Sequence, residues 1–286
     1  MSNPGIDFDA LQRIVFTALA EDLGDPPRDV TSEATIPATQ TDTAELVARA
    51  DGVVAGLLVA AEVFAVTSSG AATFEQVATD GDRVRRGDVL ARITGPTRAL
   101  LTAERTALNL ISRMSGVATH TRKWADQLEG TRATVLDTRK TTPGLRALEK
   151  YAVRVGGGTN KRMGLYDVAM IKDNHKLAAG SITAAYQLVR QTFPDVAVQV
   201  EVTTLDEARE AVAAGAGFLL CDNMSPELLT EVVAAVGEQA ELEATGNLTL
   251  ETAAAYAATG VDYLSVGGLT HSSPILDIAL DLRPRS

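Results

Sequence analysis

The sequence predicts an α/β chain in which a mixed N-terminal region leads into an incomplete α/β barrel of six or seven strands. Three observations point there. From residue 130 onward, short apolar runs alternate with segments of helical periodicity, the pattern of parallel strands joined by right-handed crossovers. Most runs end on a polar or ionisable residue, and the ionisable ends Asp137, Lys172, Glu201, Asp222 and Glu243 lie 35, 29, 21 and 21 residues apart. The alternating part spans about 140 residues, where an eightfold barrel takes roughly 250.

The elements follow in order. Asp7–Leu23 carries Leu11, Ile14, Val15, Ala18 and Leu19 at helical spacing and stops near Gly24. Residues 24–37, rich in Pro, Asp and Thr, read as loop, and 45–50 as a strand. Residues 52–66 are apolar with two early glycines and enter a helix. Residues 74–93 place two short β runs around DGD and RRGD turns, a hairpin pattern. That segment resembles the hammerhead turn of biotinyl and lipoyl carrier domains. Carriers need a lysine at an exposed turn, and none precedes Lys123, so the likeness is one of scaffold.

Residues 97–129 form a long helical stretch with Leu101, Leu108, Leu110, Ile111 and Met114 on its apolar face, Arg105 among them, and a break or kink expected at Gly116. The later strands are 134–138, 168–172, 196–202, 218–222, 240–244 and 261–267. Helices are expected at 143–154, 181–192, 205–214, 225–236 and 248–258. In a barrel the strand ends converge on one rim, where barrel enzymes place their chemistry. An open doubly wound sheet is the alternative and would gather the same residues at its C-terminal edge.

Composition bounds the function. The 286 residues are 45% apolar and 22% charged, with 4% aromatics, so a globular core of small aliphatic side chains is expected. No apolar run approaches a membrane span, and the first residues show no secretory pattern, so no membrane partner is expected. The lone Cys221 precludes an internal disulfide, fits a reducing cytoplasm and reads as a small buried hydrophobe. A net charge of −11 argues against nucleic acid as a partner. Residues 137–176 nevertheless hold nine Lys or Arg against four acids, while the rest of the chain is strongly acidic, which suggests a local site for a small anion.

Three motifs carry that site. Asp137-Thr138-Arg139-Lys140-Thr141-Thr142-Pro143-Gly144 sets two cations between a strand and a helix start. Arg binds a carboxylate or phosphate bidentately and Lys acts as a point charge. Gly156-Gly157-Gly158-Thr159-Asn160-Lys161-Arg162 adds two cations on a flexible loop, followed by Ile171-Lys172-Asp173-Asn174-His175. Thr245-Gly246-Asn247 and Val266-Gly267-Gly268 with His271 follow the last strands, where barrels bind phosphate with backbone N–H groups. Glu201 and Asp222 supply the opposite charge, for a metal, sugar hydroxyls or a cationic carbon. The three histidines, His120, His175 and His271, are too scattered for a zinc site, and His120 reads as a helix residue.

The stretch from Asp137 to His175 resembles the quinolinate phosphoribosyltransferase family, as do EDLGDPPRDVTSEATIP, LLTAERTALNLISRMSG and VDYLSVGGLTHS, in order along nearly the whole chain. The resemblance implies an N-terminal α/β sandwich domain (1–115), a barrel domain (116–269) and a tail (270–286) returning to the first. It implies a cytoplasmic homodimer, with higher assembly open, in which one subunit covers the other's barrel. It implies transfer of phosphoribosyl from phosphoribosyl diphosphate to quinolinate, with Mg2+, giving nicotinate mononucleotide, diphosphate and carbon dioxide.

By the same resemblance, Arg105, Thr138, Arg139, Arg162 and Lys172 surround the quinolinate carboxylates, with Arg105 reaching in from the partner. Lys140 faces the donor, Glu201 and Asp222 lie near ribose and metal, and Thr245–Asn247 and Val266–Gly268 lie around the 5′-phosphate. Catalytic roles are expected for Lys140, Lys172, Glu201 and Asp222. Two departures stand out: Lys161 occupies a position where the family commonly has His, and Thr245 one where Ser is common. The competing readings are a phosphoribosyltransferase for another aromatic acid, a Schiff-base aldolase using Lys172, and a non-catalytic sensor of a phosphorylated ligand.

Overall fold

The computed structural model describes residues 5–283. The chain begins with helices α1 (Phe8–Leu23) and α2 (Val30–Thr35), strands β1 (Thr41–Ala48) and β2 (Gly52–Val53), and helix α3 (Leu57–Thr67). Strands β3 (Thr73–Gln76), β4 (Arg83–Val84) and β5 (Val89–Pro96) lead into helix α4 (Thr97–Gln127). Then come β6 (Thr134–Leu136), α5 (Arg146–Val155), β7 (Val168–Ile171), α6 (Asp173–Ala179) and α7 (Ile182–Thr192). Strands β8 (Ala197–Val202), β9 (Phe218–Asp222), β10 (Glu241–Thr245) and β11 (Tyr263–Ser265) alternate with α8 (Leu205–Ala213), α9 (Pro226–Val236) and α10 (Leu250–Ala257). Helix α11 (Gly268–His271) and strand β12 (Ile278–Leu282) close the order.

These elements fall into two compact units. The first takes the described residues up to Arg122, Thr141–Gly157, and those from Leu269 onward; the second takes Lys123–Lys140 and Gly158–Gly268. Helix α5 groups with the first unit. Leu148, Ala152 and Val153 of α5 are buried, the helix packs on α1, and the Tyr151 hydroxyl donates to Asp80 Oδ2 at 2.8 Å.

In the first unit an antiparallel sheet runs β12-β1-β5-β3, and β2 pairs with β4. The chain's last strand thus lies beside its first, with Leu46 opposite Leu280. Strands β3 and β5 form the expected antiparallel pair, while β4 between them leaves to join β2. Asp7 caps α1 by accepting from Asp9 N–H, and Gly24 at φ 70° ends it. The stretch read as loop contains α2, whose start is fixed when the Asp29 carboxylate accepts from Ser32 N–H at 2.9 Å. The strand expected at 45–50 begins four residues earlier, since Thr41–Ala44 already pair with β5.

Helix α4 runs unbroken through Gly116, against expectation. The glycine serves close approach: a Cβ there would sit 2.1 Å from the Pro274 carbonyl oxygen. On the same helix Arg105 is exposed, not enclosed by the apolar residues around it in sequence.

The second unit is built on six parallel strands in the order β6-β11-β10-β9-β8-β7. Each strand from β7 to β11 lies beside its successor, and β11 lies beside β6, so the order circulates without reversing. A doubly wound sheet reverses at a switch point, so this is the barrel arrangement. The strands read as apolar runs because both faces are covered; Leu219, Leu220 and Cys221 of β9 are all buried. Among the described residues no ladder joins β6 to β7. Instead Thr159 bridges to Leu136, and its N–H donates to Val135 O at 2.8 Å. Helices α7, α8 and α9 are capped by Ser181, Thr204 and Ser225, each accepting from a backbone N–H three residues on.

Candidate active site

Parallel register brings the strand ends level. Glu201 of β8, Leu220 of β9 and Glu243 of β10 are direct neighbours across the sheet. Lys172 follows β7, and Asp222, Thr245 and Ser265 end β9, β10 and β11. Together with Thr138, Arg139 and Lys140 after β6, Lys161, Arg162 and Met170, the residues Lys172, Glu201, Leu220, Asp222, Thr245 and Ser265 line one cavity of about 330 Å³. Five cations and two carboxylates therefore share a wall in a chain of net charge −11. A cleft lined this way raises the local concentration of anions.

The charges are held in place. Lys172 Nζ donates to Glu201 Oε2 at 2.7 Å, with the lysine half-exposed and the glutamate buried. Beneath it, Lys176 of α6 donates to the Glu201 carbonyl oxygen at 3.2 Å and to Glu207 Oε1 at 2.9 Å. Helix α6 was not anticipated; it starts where His175 Nδ1 accepts from Lys172 N–H at 3.0 Å. The Thr138 hydroxyl accepts from Lys140 N–H at 3.0 Å, shaping the Arg139-Lys140 turn.

Lys161 is nearly enclosed. Its Nζ donates to Glu243 Oε1 at 2.6 Å, and Gln199 Nε2 donates to Glu243 Oε2 at 2.6 Å. Burial pulls the Lys161 ammonium below the ordinary lysine range, and the facing Glu243 opposes that shift. Burial, then the neighbouring Arg139, act in the same direction on Arg162. The Arg162 guanidinium is oriented by a donation to Val168 O at 3.1 Å.

Asp137, read as a rim residue, is fully buried and works on the backbone instead. Its Oδ1 accepts from Lys161 N–H at 2.8 Å and its Oδ2 from Asn160 Nδ2 at 2.6 Å. After β10, Gly246 and Asn247 adopt positive φ of 101° and 49°. A Cβ on Gly246 would lie 2.2 Å from Asn223 Oδ1, and the Asn223 amide donates to Asp222 Oδ2 at 2.9 Å. Glycine here permits the close packing that orients Asp222.

The other candidates lie as follows. Val266 is buried, its N–H donating to Leu136 O at 3.0 Å, and Gly267 and Gly268 lead into α11. Arg105 and His271 belong to the first unit; both are exposed, and His271 Nδ1 lies 2.6 Å from Ser272 Oγ. His120 pairs with Ser273 Oγ at 2.8 Å, consistent with a helix residue. Ser265 was one of the strand ends placed on the rim, whereas sequence reading did not single out Met170 and Leu220 as lining, nor Gln199 and Glu243 as the partners behind Lys161. Among the described residues no group of three or more His, Cys, Asp or Glu is arranged to hold a metal. Glu201 and Asp222 remain as the two carboxylates on the cavity wall.

Comparison with known proteins gives a consistent result. The family model for the quinolinate phosphoribosyl transferase N-terminal domain matches residues 29–115, and that for its C-terminal domain matches residues 117–281. The chain is 48% identical over 284 residues to the carboxylating nicotinate-nucleotide pyrophosphorylase of Mycobacterium leprae, covering 96% of this chain and 98% of that one. It is 40% identical to the decarboxylating quinolinate phosphoribosyltransferase 1 of Nicotiana glauca, over 95% of this chain and 82% of that protein. The solved nicotinate-nucleotide pyrophosphorylase of Francisella tularensis superposes with a TM-score of 0.93 at 34% identity, covering 99% and 100% of the two chains.

Proposed function

Because the chain belongs to the quinolinate phosphoribosyltransferase family, we propose that the cationic cavity at its barrel rim is where phosphoribosyl diphosphate and quinolinate react. The enzyme is a decarboxylating pentosyltransferase of NAD biosynthesis, joining the phosphoribosyl group to the pyridine acid. The products on this reading are nicotinate mononucleotide, diphosphate and carbon dioxide. The observation that carries the assignment is the gathering of Arg139, Lys140, Lys161, Arg162 and Lys172 with Glu201 and Asp222 on one wall.

Arg139, Arg162, Lys172 and Lys161, with Thr138, would hold the two ring carboxylates. Guanidinium forks suit that task, because they pair with carboxylate oxygens two at a time. Held so, the ring nitrogen faces the anomeric carbon, and the bond to diphosphate breaks as the bond to nitrogen forms. Glu201 and Asp222 stabilise the positive charge that develops on the ribose. Lys140 offsets the charge of the departing diphosphate. Thr245–Asn247 and Val266–Gly268 are the backbone available to the 5′-phosphate. Once the ring nitrogen is quaternary, its positive charge stabilises the carbanion left on the ring when the adjacent carboxylate departs as carbon dioxide, and that carbon then takes a proton from solvent.

Mg2+ fits as a partner of the donor's phosphates, since it commonly takes one or two carboxylates plus phosphate oxygens. Glu201 and Asp222 are the residues that would hold it, and when bound it would neutralise the leaving diphosphate. Two carboxylates alone make no closed protein cage, so the metal would arrive with the donor. A homodimer is also proposed, with the exposed Arg105 of one subunit serving the cavity of the other. A cytoplasmic site of action accords with the buried, unpaired Cys221 and with the lack, among the described residues, of a helix long and apolar enough to cross a membrane.

Lys172 is half-exposed and ion-paired to Glu201, which keeps its ammonium charged, whereas a Schiff-base lysine reacts as the neutral amine. The test is an assay of diphosphate and carbon dioxide release with Mg2+, using quinolinate labelled at the 2-carboxylate. Equal release of both products, dependent on quinolinate and not supported by nicotinate, is the expected result. Diphosphate released without carbon dioxide would overturn the proposal.

A further inference from the structure

Lys161 is held by two fully buried residues behind its ammonium, Glu243 and Gln199. Its backbone N–H is fixed by the buried Asp137 at 2.8 Å, and its ammonium by Glu243 at 2.6 Å. Glu243 is fully buried and its second oxygen is taken by the fully buried Gln199, at 2.6 Å. Neither Glu243 nor Gln199 lines the cavity, whereas Lys161 does. A carboxylate and an amide in a barrel interior are costly unless each polar atom is matched. Both Glu243 oxygens are matched here, while the buried Gln199 Oε1 has no hydrogen-bond partner among the described residues: an amide on β8 orients a carboxylate on β10, and the carboxylate orients an ammonium at the wall. A lysine side chain otherwise moves over many rotamers. An ammonium has three donors, and one directed at Glu243 fixes the cone in which the others point.

We propose that Glu243, oriented by Gln199, is a positioning residue that aims the Lys161 ammonium at a carboxylate of the pyridine acid. The proposal rests on the assignment of the cavity made above. It assigns Glu243 no contact with either substrate. Its effect passes through Lys161 alone, and it concerns the pyridine acid and not the phosphoribosyl donor.

The test is a cycle of E243Q, K161Q and the double variant, with E243D for rescue, read as separate KM values for quinolinate and phosphoribosyl diphosphate. E243Q should raise the KM for quinolinate by about 10- to 100-fold, the worth of a hydrogen bond to a charged group, and leave the donor's KM unchanged. E243D, which keeps the charge, should recover part of the loss. In the K161Q background, E243Q should add nothing further, because the two residues act as one. Should E243Q fail to fold, Gln199→Leu carries the same test, with a smaller rise confined to quinolinate. Three results would overturn the proposal: a folded E243Q with the parent's KM for quinolinate, equal rises in both KM values, or independent effects in the double variant. A parent enzyme with no quinolinate-dependent turnover would instead defeat the cavity assignment itself, so the two failures are distinguishable.

Discussion

Replacing Arg113 with Met should lower the melting temperature by roughly 10 °C. Arg113 Nε and Nη2 donate to Glu149 Oε1 at 3.0 and 2.8 Å, and Nη1 donates to Ser273 O at 2.9 Å. Nη2 also reaches Thr270 O. Glu149 is fully buried, and its other partners are the Thr142 N–H at 2.9 Å and hydroxyl at 2.7 Å. The hub therefore ties α4, α5, the segment after Lys140 and the return toward β12. Removing one partner of a buried ion pair costs about 3–5 kcal/mol, because the other charge stays buried. In chains of this size each kcal/mol moves the midpoint by about 2–4 °C. Arg113 keeps some exposure, which favours the lower end of that cost. The assay is thermal unfolding followed by circular dichroism. The double variant Arg113→Met with Glu149→Gln should recover part of the loss, since no lone charge remains. A shift of only a degree or two, or a double variant less stable than the single, would mean that Glu149 is not left as a lone buried charge.

Other outcomes follow from the same contacts. Lys161→His should give a KM for quinolinate that is lowest at acid pH and rises as the imidazole loses its proton between about pH 5 and 8; pH-dependent kinetics would reveal this inflection, absent from the parent. Burial, with Glu243 nearby, pushes the Cys221 thiol up to about 12, so a thiol reagent at mildly alkaline pH should label the unfolded chain and spare the folded one. The Asp29 carboxyl is held below its ordinary value by the hydrogen bonds from Ser32, with Thr102 adding to them. Its contribution is therefore present above the ordinary carboxylate range and lost as pH falls through it. Asp29→Ala should cost about 0.5–2 kcal/mol in denaturant titrations near neutrality, and the gap from the parent should narrow in acid.

Much of this molecule was legible in its sequence because burial writes a pattern. The parallel strands are covered on both faces, so each appears as an apolar run, and the run's polar end marks the rim. That is how Lys172, Glu201 and Asp222 could be placed on one wall before any coordinates. Asp137 carried the same mark for a different reason: it is a buried anchor for Asn160 and Lys161, and an acid at a strand end does not declare which way it works. Helix α6 escaped notice because its seven residues begin with a polar DNHK run, and its start rests on His175 and Lys172 instead of an apolar face. Helix α5 was legible as a helix but not as part of the first unit, since its partner α1 lies far away in sequence. Gly116 looked like a helix breaker because the close approach of Pro274 has no local signature. The pairing of Lys161 with Glu243 joins residues 82 apart, and no periodicity reports such a contact.

Calorimetric titration of quinolinate into the parent enzyme and into Arg139→Ala, Arg162→Ala and Lys172→Met variants asks most directly whether scattered cations form one receptor for a dianion. Each loss should weaken binding by about 10- to 100-fold, as expected when a charged hydrogen-bond partner is removed. Affinity for quinolinate unchanged in all three variants would contradict the account.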